Sequence, residues 1–302
     1  MKRILIADPV AKEGVEALKS FGTFEVIEKT DITPEDLKNE IGEYNAVVVR
    51  SRTKITKDTL DQPGNLELIV RGGVGTDNID KVTAKEKNIA VKNTPLASSI
   101  SVAELVIGMA LAGMRGLADA TVSTKKGLWE KKRFKGLELY GKTLGIIGLG
   151  NIGKETAKRA VALGMKVLAY DPLVSTCSID GVTMTTLDMI KTESDIISVN
   201  CPKTDSTCNL IDASFIGQMK NGAAIINCAR GGIIVEKDLV EALQSGKISF
   251  AGIDVYEKEP AKESPLFAIE NVILTPHIGA QTKEGQTRVA TEVASVIHDF
   301  FQ

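Results

Sequence analysis

The chain of 302 residues has few of the residues that build disulfide frameworks and zinc sites. It contains four cysteines, none of them in a C-x-x-C pair, and only two histidines. Secreted disulfide scaffolds and zinc domains need such residues at close spacing. We therefore expect reduced thiols, a cytoplasmic location and no metal site.

The sequence also lacks a long hydrophobic run and an excess of charge of one sign. No window approaches the length of a membrane-spanning helix. The start MKRILIADP resembles a signal peptide, but its apolar run breaks at Asp8-Pro9, so an opening strand fits better. The net charge of −2, with both signs interspersed, argues against nucleic acid or an anionic membrane as the main partner.

What the chain does contain is an alternation of strand and helix patterns, and its length exceeds one compact domain. Alternation of this kind predicts an α/β fold with parallel sheets covered by helices on both faces. Two such sheets fit the length, one before Ser101 and one after it. Besides the strand before the glycine turn described below, candidate strands are residues 3–6, 46–50, 67–71, 90–93, 166–170, 195–200, 224–228, 251–255 and 272–274.

Helices are expected to begin near Val10, Pro34 and Asp77, with Thr33 as the cap of the second, and a final helix spans 282–301.

Residues 101–126 form one long helical pattern, with Val102, Leu105, Val106 and Met109 on one face. A helix of that length would span about 40 Å at about 1.5 Å per residue. Such a helix suits a crossing between domains or a contact between subunits.

The most informative stretch is residues 142–171, KTLGIIGLGNIGKETAKRAVALGMKVLAYD. It predicts a strand, a glycine turn, a helix and a second strand. Gly148, Gly150 and Gly153 allow the tight turn, the approach of a pyrophosphate and close helix packing, respectively. Asp171 ends the second strand, where a carboxylate accepts hydrogen bonds from a ribose diol and repels a 2′-phosphate. The stretch therefore predicts NAD rather than NADP, against the alternative of an ordinary βαβ turn.

Three chemically useful side chains follow later strands of the same predicted sheet: Arg230, Glu259 and His277. Ligands of open α/β sheets bind beyond the carboxyl ends of the strands. Each residue alone is more often a solvated loop residue. Together they offer a cation for a substrate carboxylate, a base for a hydroxyl proton and an acid to hold that base.

Arg50, Arg52 and Lys54 form a basic loop after a strand of the first sheet. Such a loop is commonly a solvated surface, but it could also bind a phosphate. The glycine-rich segment 71–75 follows the next strand and would offer backbone N–H groups to a carboxylate.

Four ordered segments, LGIIGLGNIG, INCARGG, DVYEKEP and LTPHIGA, resemble the signature blocks of the D-isomer-specific 2-hydroxyacid dehydrogenases. The resemblance covers essentially the whole chain. Within that family the segments VVVRSRTKIT, RGGVGTDNID and NTPLASSISVAELVIGMAL look most like the phosphoglycerate dehydrogenase branch.

The resemblance implies a flavodoxin-like substrate domain and a Rossmann nucleotide domain, with the active site in the cleft between them. The substrate domain would comprise residues 1–97 and 281–302, and the NAD-binding domain residues 98–280.

The resemblance also assigns roles to matching positions. Arg230 would bind the substrate carboxylate and carbonyl, Glu259 would orient the imidazole, and His277 would act as acid and base. The expected cofactor-binding residues are Gly148, Gly150, Asn151, Ile152, Gly153, Asp171, Pro202, Cys228, Ala229, Asp254, His277, Gly279 and Ala280, with Asp254 facing the nicotinamide carboxamide. The expected substrate-binding residues are Arg50, Arg52, Gly72, Gly73, Val74 and Arg230.

The expected activity is the NAD-dependent oxidation of 3-phospho-D-glycerate to 3-phosphohydroxypyruvate, the first step of phosphorylated serine biosynthesis. Alternatives are reduction of glyoxylate or hydroxypyruvate, another D-2-hydroxy acid such as glycerate or lactate, or an NAD(H)-sensing corepressor of the same architecture. The chain stops after the final helix, so we expect no C-terminal regulatory module.

The resemblance further implies a homodimer through the nucleotide domains. Its candidate contacts are the 101–126 helix and the 128–140 loop, which would bring Trp129, Lys131 and Arg133 near the partner's active site. For Trp129, packing in an interface or a core is the other interpretation.

Overall fold

The computed structural model describes residues 1–302, which divide into two compact units. The first combines Met1–Ser98 with Ala280–Gln302, and the second is Ser99–Gly279. Each unit has its own sheet of parallel strands. The prediction of two doubly wound α/β units is therefore confirmed.

The secondary structure alternates between strands and helices along the chain. The strands are β1 Lys2–Ile6, β2 Phe24–Glu28, β3 Ala46–Val49, β4 Leu68–Arg71, β5 Ala90–Asn93, β6 Thr143–Ile147, β7 Lys166–Tyr170, β8 Val182–Met184, β9 Ile196–Val199, β10 Ala223–Asn227, β11 Ile248–Ile253 and β12 Val272–Leu274. The helices are α1 Lys12–Ser20, α2 Pro34–Glu40, α3 Lys81–Glu86, α4 Ser99–Arg115, α5 Leu117–Lys125, α6 Asn151–Ala162, α7 Leu187–Glu193, α8 Ala213–Gln218, α9 Glu236–Gln244 and α10 Lys283–Phe301. Two short 3-10 helices span Ile41–Glu43 and Pro265–Ala268.

The first unit has the strand order β2-β1-β3-β4-β5, which is the flavodoxin-like order. All four residues of β3 are buried, as expected for a central strand covered on both faces. The sequence interpretation missed β2 at the sheet edge, where the exposed Glu25 and Glu28 weaken the apolar pattern.

Helices α1 and α10 pack together on one face of this sheet. A Cβ at Gly14 would clash with the backbone of Ala290, so glycine permits the close approach of the two helices. The predicted cap is confirmed, because the Thr33 hydroxyl accepts the Asp36 N–H at 3.1 Å. Thr282 caps α10 in the same way by accepting the Gly285 N–H at 3.0 Å.

The second unit has the strand order β12-β11-β10-β9-β6-β7-β8. The order reverses where β6 lies beside β9, which is the Rossmann arrangement extended by one strand. Because all its pairs are parallel, the loops that follow β6, β7, β9, β10, β11 and β12 leave from one edge. The interpretation missed β8, which has only three residues.

The prediction of one helix over 101–126 is wrong. Helices α4 and α5 are separate and meet at an angle of 60°. Between them Gly116 has φ +57°, a left-handed conformation that a continuous α-helix does not contain. The predicted apolar face of α4 is buried in the core of the second unit, except that Leu105 is half-buried.

None of the helices alone has both the length and the apolar composition of a membrane span, whereas the bent pair α4–α5 reaches both when its two helices are combined.

Candidate active site

The glycine turn joins β6 to α6 at the point where the strand order reverses. Gly148 has φ +95°, and a Cβ there would lie 2.7 Å from the backbone nitrogen of Cys201. A Cβ at Gly153 would clash with the carbonyl of Gly148, so the helix lies tightly against the turn. Gly150 is the N-cap residue of α6, and a Cβ there would meet only open space. This turn therefore fits a pyrophosphate placed against the α6 N-terminus, where Asn151 and Ile152 begin the helix.

Asp171 follows β7 and reaches back to the glycine turn. Its Oδ2 accepts the Leu149 N–H at 2.8 Å, and its Oδ1 accepts the Leu173 N–H at 2.9 Å. Each carboxylate oxygen has a further lone pair, so these bonds orient the group without excluding a ribose hydroxyl as an additional donor.

Pro202, Cys228 and Ala229 follow β9 and β10, whose carboxyl ends share an edge with the glycine turn. The Cys228 thiol is buried and lies 3.7 Å from the Met109 sulfur. Burial raises the pKa of Cys228 far above its ordinary value, and burial likewise raises the pKa of Cys201 to about 11. Both groups are therefore neutral thiols at physiological pH.

Asp254 follows β11 and is fully buried. Its Oδ1 accepts the Thr275 hydroxyl at 2.6 Å and the Ile278 N–H at 2.8 Å, and its Oδ2 accepts the Gly279 N–H at 2.8 Å. The carboxylate thus fixes both sides of the loop that carries His277. The role of Asp254 towards a nicotinamide carboxamide stays a prediction, and the structure shows that this carboxylate shapes the loop.

His277 and Glu259 form a hydrogen-bonded pair, with His277 Nδ1 and Glu259 Oε2 separated by 2.7 Å. With Nδ1 directed to the carboxylate, Nε2 is the nitrogen available for proton transfer. His277 has φ +54°, an uncommon left-handed conformation, and its N–H donates to the Thr275 carbonyl at 3.1 Å. Such backbone conformations are often found at functional sites.

Tyr256 supports both members of the pair. Its N–H donates to Glu259 Oε1 at 3.1 Å, and its hydroxyl donates to the Thr275 carbonyl at 3.0 Å. Burial opposes ionisation of Glu259, but the hydrogen bonds from His277 and Tyr256 outweigh it and the net pKa is lowered. Glu259 is therefore ionised at neutral pH and can stabilise an imidazolium.

The positive charge of Arg230 also contributes to lowering the pKa of Glu259. Its loop is ordered by the buried Asn227, which donates to the Arg230 carbonyl at 2.9 Å and accepts the Ala229 N–H at 3.0 Å. A Cβ at Gly231 would clash with the Tyr256 carbonyl, so this loop packs directly on the segment that leads to Glu259. The second unit therefore brings a guanidinium, a carboxylate and an imidazole to one edge of its sheet.

The sequence interpretation missed two contributors to this edge. Asn227 is the last residue of β10, and its apolar neighbours in the sequence predict only a strand residue. The second is Lys203, whose ammonium would clash with a Cβ at Gly232 and therefore lies beside the Arg230 loop. The position of Lys203 after β9 is the signal that could have identified it.

In the first unit, the basic loop is folded around Asp8, which follows β1 and is 1% exposed. Arg52 Nε donates to Asp8 Oδ1 at 3.0 Å, and Arg52 Nη2 donates to the Ala7 carbonyl at 2.8 Å. Arg50 donates through its side chain to Gln286 of α10, and burial lowers the pKa of Arg50. These two arginines are thus ordered by the protein and are not merely solvated charges.

Lys54 and Arg52 also line a cavity of about 720 Å³ between α2 and the loop after β3. The remaining lining residues are Ile32, Pro34, Glu35, Leu37, Lys38, Asn39, Thr53, Thr56, Asp58 and Thr59.

The glycine segment after β4 offers two of its three expected N–H groups. The Gly72 N–H donates to the Val49 carbonyl at 2.8 Å and continues the sheet, so it is not available to a carboxylate. Gly73 has φ +141°, and the Val74 carbonyl accepts the Asn93 amide at 2.6 Å. The N–H groups of Gly73 and Val74 remain as candidate donors.

The 126–141 loop of the second unit is largely exposed. Trp129 is 87% exposed, so it does not pack in a core within a single chain. Arg133 pairs with Glu130 at 3.2 Å and lies over the Phe134 ring, while Lys131 is exposed beside them.

The family model described as D-isomer specific 2-hydroxyacid dehydrogenase, NAD binding domain, matches residues 107–279. The chain belongs to the D-isomer specific 2-hydroxyacid dehydrogenase family. The family resemblance inferred from the four motifs is confirmed, and so is the prediction of NAD as the cofactor.

Two relatives match nearly the whole chain. The chain is 46% identical to the D-3-phosphoglycerate dehydrogenase of Methanocaldococcus jannaschii over 98% of this chain and 57% of that enzyme. It is 47% identical to the hydroxypyruvate reductase of Thermotoga maritima over 98% of this chain and 97% of that enzyme. The chain therefore spans a little over half of the first relative and nearly all of the second.

Among solved structures, the D-lactate dehydrogenase of Aquifex aeolicus complexed with NAD and lactic acid is similar to this chain. The TM-score is 0.84 at 32% identity, over 99% of this chain and 95% of that chain.

Proposed function

We propose that this protein is an NAD-dependent dehydrogenase that oxidises 3-phospho-D-glycerate to 3-phosphohydroxypyruvate, as the first step of phosphorylated serine biosynthesis. The observation that carries the dehydrogenase assignment is the His277–Glu259 pair at 2.7 Å, with the loop of Arg230 packed on the segment that leads to Glu259. The phosphorylated substrate is supported by the two ordered arginines after β3 and by the Methanocaldococcus jannaschii relative.

In the proposed reaction His277 accepts the proton of the substrate C2 hydroxyl on Nε2. Glu259 stabilises the resulting imidazolium through Nδ1, in the manner of the acid in hydrolytic triads. Arg230 binds the substrate carboxylate and thereby fixes which face of C2 is presented, which would determine D-stereochemistry. The glycine turn and the strand ends would hold NAD, which would supply the acceptor for the hydride that leaves C2.

The residues proposed to hold the cofactor surround the glycine turn and the strand ends. The α6 N-terminus would bind the pyrophosphate, and Asp171 would accept hydrogen bonds from the adenosine ribose. Arg50 and Arg52 would bind the substrate phosphate, and the N–H groups of Gly73 and Val74 would support the carboxylate.

A panel of 2-oxo acids tests this function in the reductive direction. NADH absorbance is followed with 3-phosphohydroxypyruvate, hydroxypyruvate, glyoxylate and pyruvate. We expect kcat/KM for 3-phosphohydroxypyruvate to exceed the other values by about 100-fold, because two cations add charge-assisted bonds to the phosphate. Equal or higher kcat/KM for an unphosphorylated acid would contradict the phosphoglycerate assignment.

Arg52→Ala should raise KM for 3-phosphohydroxypyruvate by about 10-fold or more, because a charge-assisted contact to the phosphate is lost. KM for hydroxypyruvate, which lacks the phosphate, should change by less than about two-fold. Steady-state kinetics with both substrates measure the difference. Arg3→Ala, which removes an exposed arginine paired with Glu25 and Glu43, is the matched control. Equal effects of Arg52→Ala on both substrates would exclude a phosphate role.

Reduction of hydroxypyruvate or glyoxylate is the second candidate function. It is favoured by the Thermotoga maritima relative, whose alignment covers 97% of that enzyme. In that case the panel would show hydroxypyruvate or glyoxylate as the preferred substrate. A corepressor-type protein would instead bind NADH and turn over none of the four acids at an appreciable rate.

We also propose a homodimer formed through the second unit. Exposed apolar side chains on α4, α5 and the 126–141 loop support it, namely Leu111, Leu117, Val122, Leu128, Trp129 and Leu137. Trp129, Lys131 and Arg133 would then lie near the partner's active site. Sedimentation equilibrium should give twice the chain mass of 32.3 kDa.

We further propose that the protein acts in the cytoplasm, because its four free thiols fit a reducing compartment.

A further inference from the structure

The buried carboxylate of Asp8 organises the loop that carries the basic residues of the first unit. Asp8 lies just beyond the end of β1, next to β3 in the sheet. Its Oδ2 accepts the N–H groups of Arg50 at 2.6 Å and Thr53 at 3.1 Å. Its Oδ1 accepts the Thr53 hydroxyl at 2.7 Å and Arg52 Nε at 3.0 Å. One oxygen thus shapes the backbone turn, and the other holds a side chain.

A carboxylate that is 1% exposed is costly unless it is paired and hydrogen-bonded. The four bonds to Asp8 meet that condition, and the only charged partner among them is Arg52. The Arg52 side chain is itself 54% exposed. In this ion pair the Asp8 carboxylate is therefore buried, and the Arg52 guanidinium lies at the surface.

The direction of Arg52 follows from the fixed fork of the guanidinium. Nε is bound to Asp8 and Nη2 to the Ala7 carbonyl, so two inward bonds define the plane of the group. Nη1 makes no hydrogen bond within the protein and is left as the outward donor. A guanidinium held in this way loses little rotamer freedom when it binds an anion.

We propose that Asp8 is a positioning residue that sets the preference for a phosphorylated substrate by holding Arg52 in the orientation that receives the phosphate. The inference rests on the proposed phosphoglycerate function. Asp8 itself does not touch the substrate. It acts through Arg52, and the unphosphorylated part of the substrate is handled by residues that do not contact Asp8.

Asp8→Asn separates the two tasks of this side chain. With the amide oxygen in the Oδ2 position, both backbone N–H bonds to the turn are kept. The amide nitrogen then occupies the Oδ1 position and presents a donor to the donor Nε of Arg52. The Thr53 hydroxyl can reverse its role and accept from the amide. The substitution therefore releases the Arg52 side chain while leaving the turn anchored.

The test measures KM for 3-phosphohydroxypyruvate and hydroxypyruvate, which differ only by the phosphate, in a double-mutant cycle. Asp8→Asn should raise KM for the phosphorylated substrate by about 10-fold and change KM for hydroxypyruvate by less than about two-fold. In the Arg52→Ala background Asp8→Asn should have no further effect, because the residue through which it acts is gone. Glu28→Gln, in an exposed pair with Lys19 at the edge of the same sheet, is the control for loss of a carboxylate.

The other possible outcomes contradict either the role of Asp8 or the proposed function. If Arg52→Ala raises KM for the phosphorylated substrate alone and Asp8→Asn does not, the function stands and the role of Asp8 is wrong. Equal effects of Asp8→Asn on both substrates, or an additive double mutant, would show that Asp8 is only a structural anchor. If the wild-type enzyme does not prefer the phosphorylated substrate, the proposed function and the proposed role of Asp8 are both wrong.

Asp8→Glu gives a second variant if the asparagine variant does not fold. It keeps the charge but displaces the carboxylate by one methylene, so Arg52 is shifted while its ion pair survives. A selective rise in KM for 3-phosphohydroxypyruvate is again expected. Equal changes for both substrates would contradict the inference.

Discussion

His277→Ala is expected to lower kcat by about 100-fold or more, while NADH binding is retained. The imidazole is the member of the pair that is left to act as the base, since the hydrogen bonds from His277 and Tyr256 and the charge of Arg230 hold Glu259 ionised. The glycine turn and Asp171 lie outside this pair, and their contacts do not depend on it. Steady-state kinetics and fluorescence titration with NADH measure the two effects separately.

The chain offers a matched control, because it has only one other histidine. His298 lies on α10 and stacks on the Phe21 ring with 3.9 Å between ring centroids. His298→Ala should leave kcat within about two-fold of the wild-type value, as expected for a residue outside the site. A His277→Ala variant with unchanged turnover would remove the proposed base.

Arg230→Ala is expected to lower kcat/KM by about 1,000-fold. A guanidinium that binds the substrate carboxylate and stabilises developing charge at C2 contributes to the transition state as well as to binding. Its charge also lowers the pKa of Glu259, so the variant should shift the acid limb of the pH–rate profile towards higher pH. The measurement is kcat/KM for 3-phosphohydroxypyruvate across a pH series.

Arg230→Lys separates charge from geometry. Lysine keeps the positive charge but cannot form two parallel bonds to a carboxylate, so an intermediate loss is expected. Full activity of the alanine variant, with the acid limb unchanged, would show that the substrate carboxylate binds elsewhere.

The sheets and the glycine turn were predictable because their signals are local. An apolar strand, three spaced glycines and a terminal acid lie within residues 142–171, and the structure places them as the pattern indicated. Strand ends were also predictable to within a few residues, which located the loops bearing Arg230, Glu259 and His277. The roles proposed for these residues remain predictions.

The break between α4 and α5 could not be predicted from local pattern. Gly108, Gly113 and Gly116 all interrupt the same apolar sequence, and only Gly116 leaves the helical conformation. Gly113 stays helical where a Cβ would clash with the Phe250 ring, so tertiary packing and not composition explains its presence. Which glycine ends a helix is decided by contacts distant in sequence.

The supporting contacts of the site were missed for the same reason. Asp8 precedes Arg52 by 44 positions, and Asp254 is remote in sequence from the 275–279 loop that it holds. In the sequence Asp8 served only to end an apolar run. Its function as a buried acceptor emerges when β1 and β3 pair and bring their carboxyl ends together.

The most direct test of the account follows the hydrogen at C2. The protein is incubated with NAD and 3-phospho-D-glycerate deuterated at C2, and the NADH formed is analysed by mass spectrometry. Direct transfer to the nicotinamide predicts NADH heavier by one mass unit. Unlabelled NADH, with the deuterium released to solvent, would contradict hydride transfer in this protein.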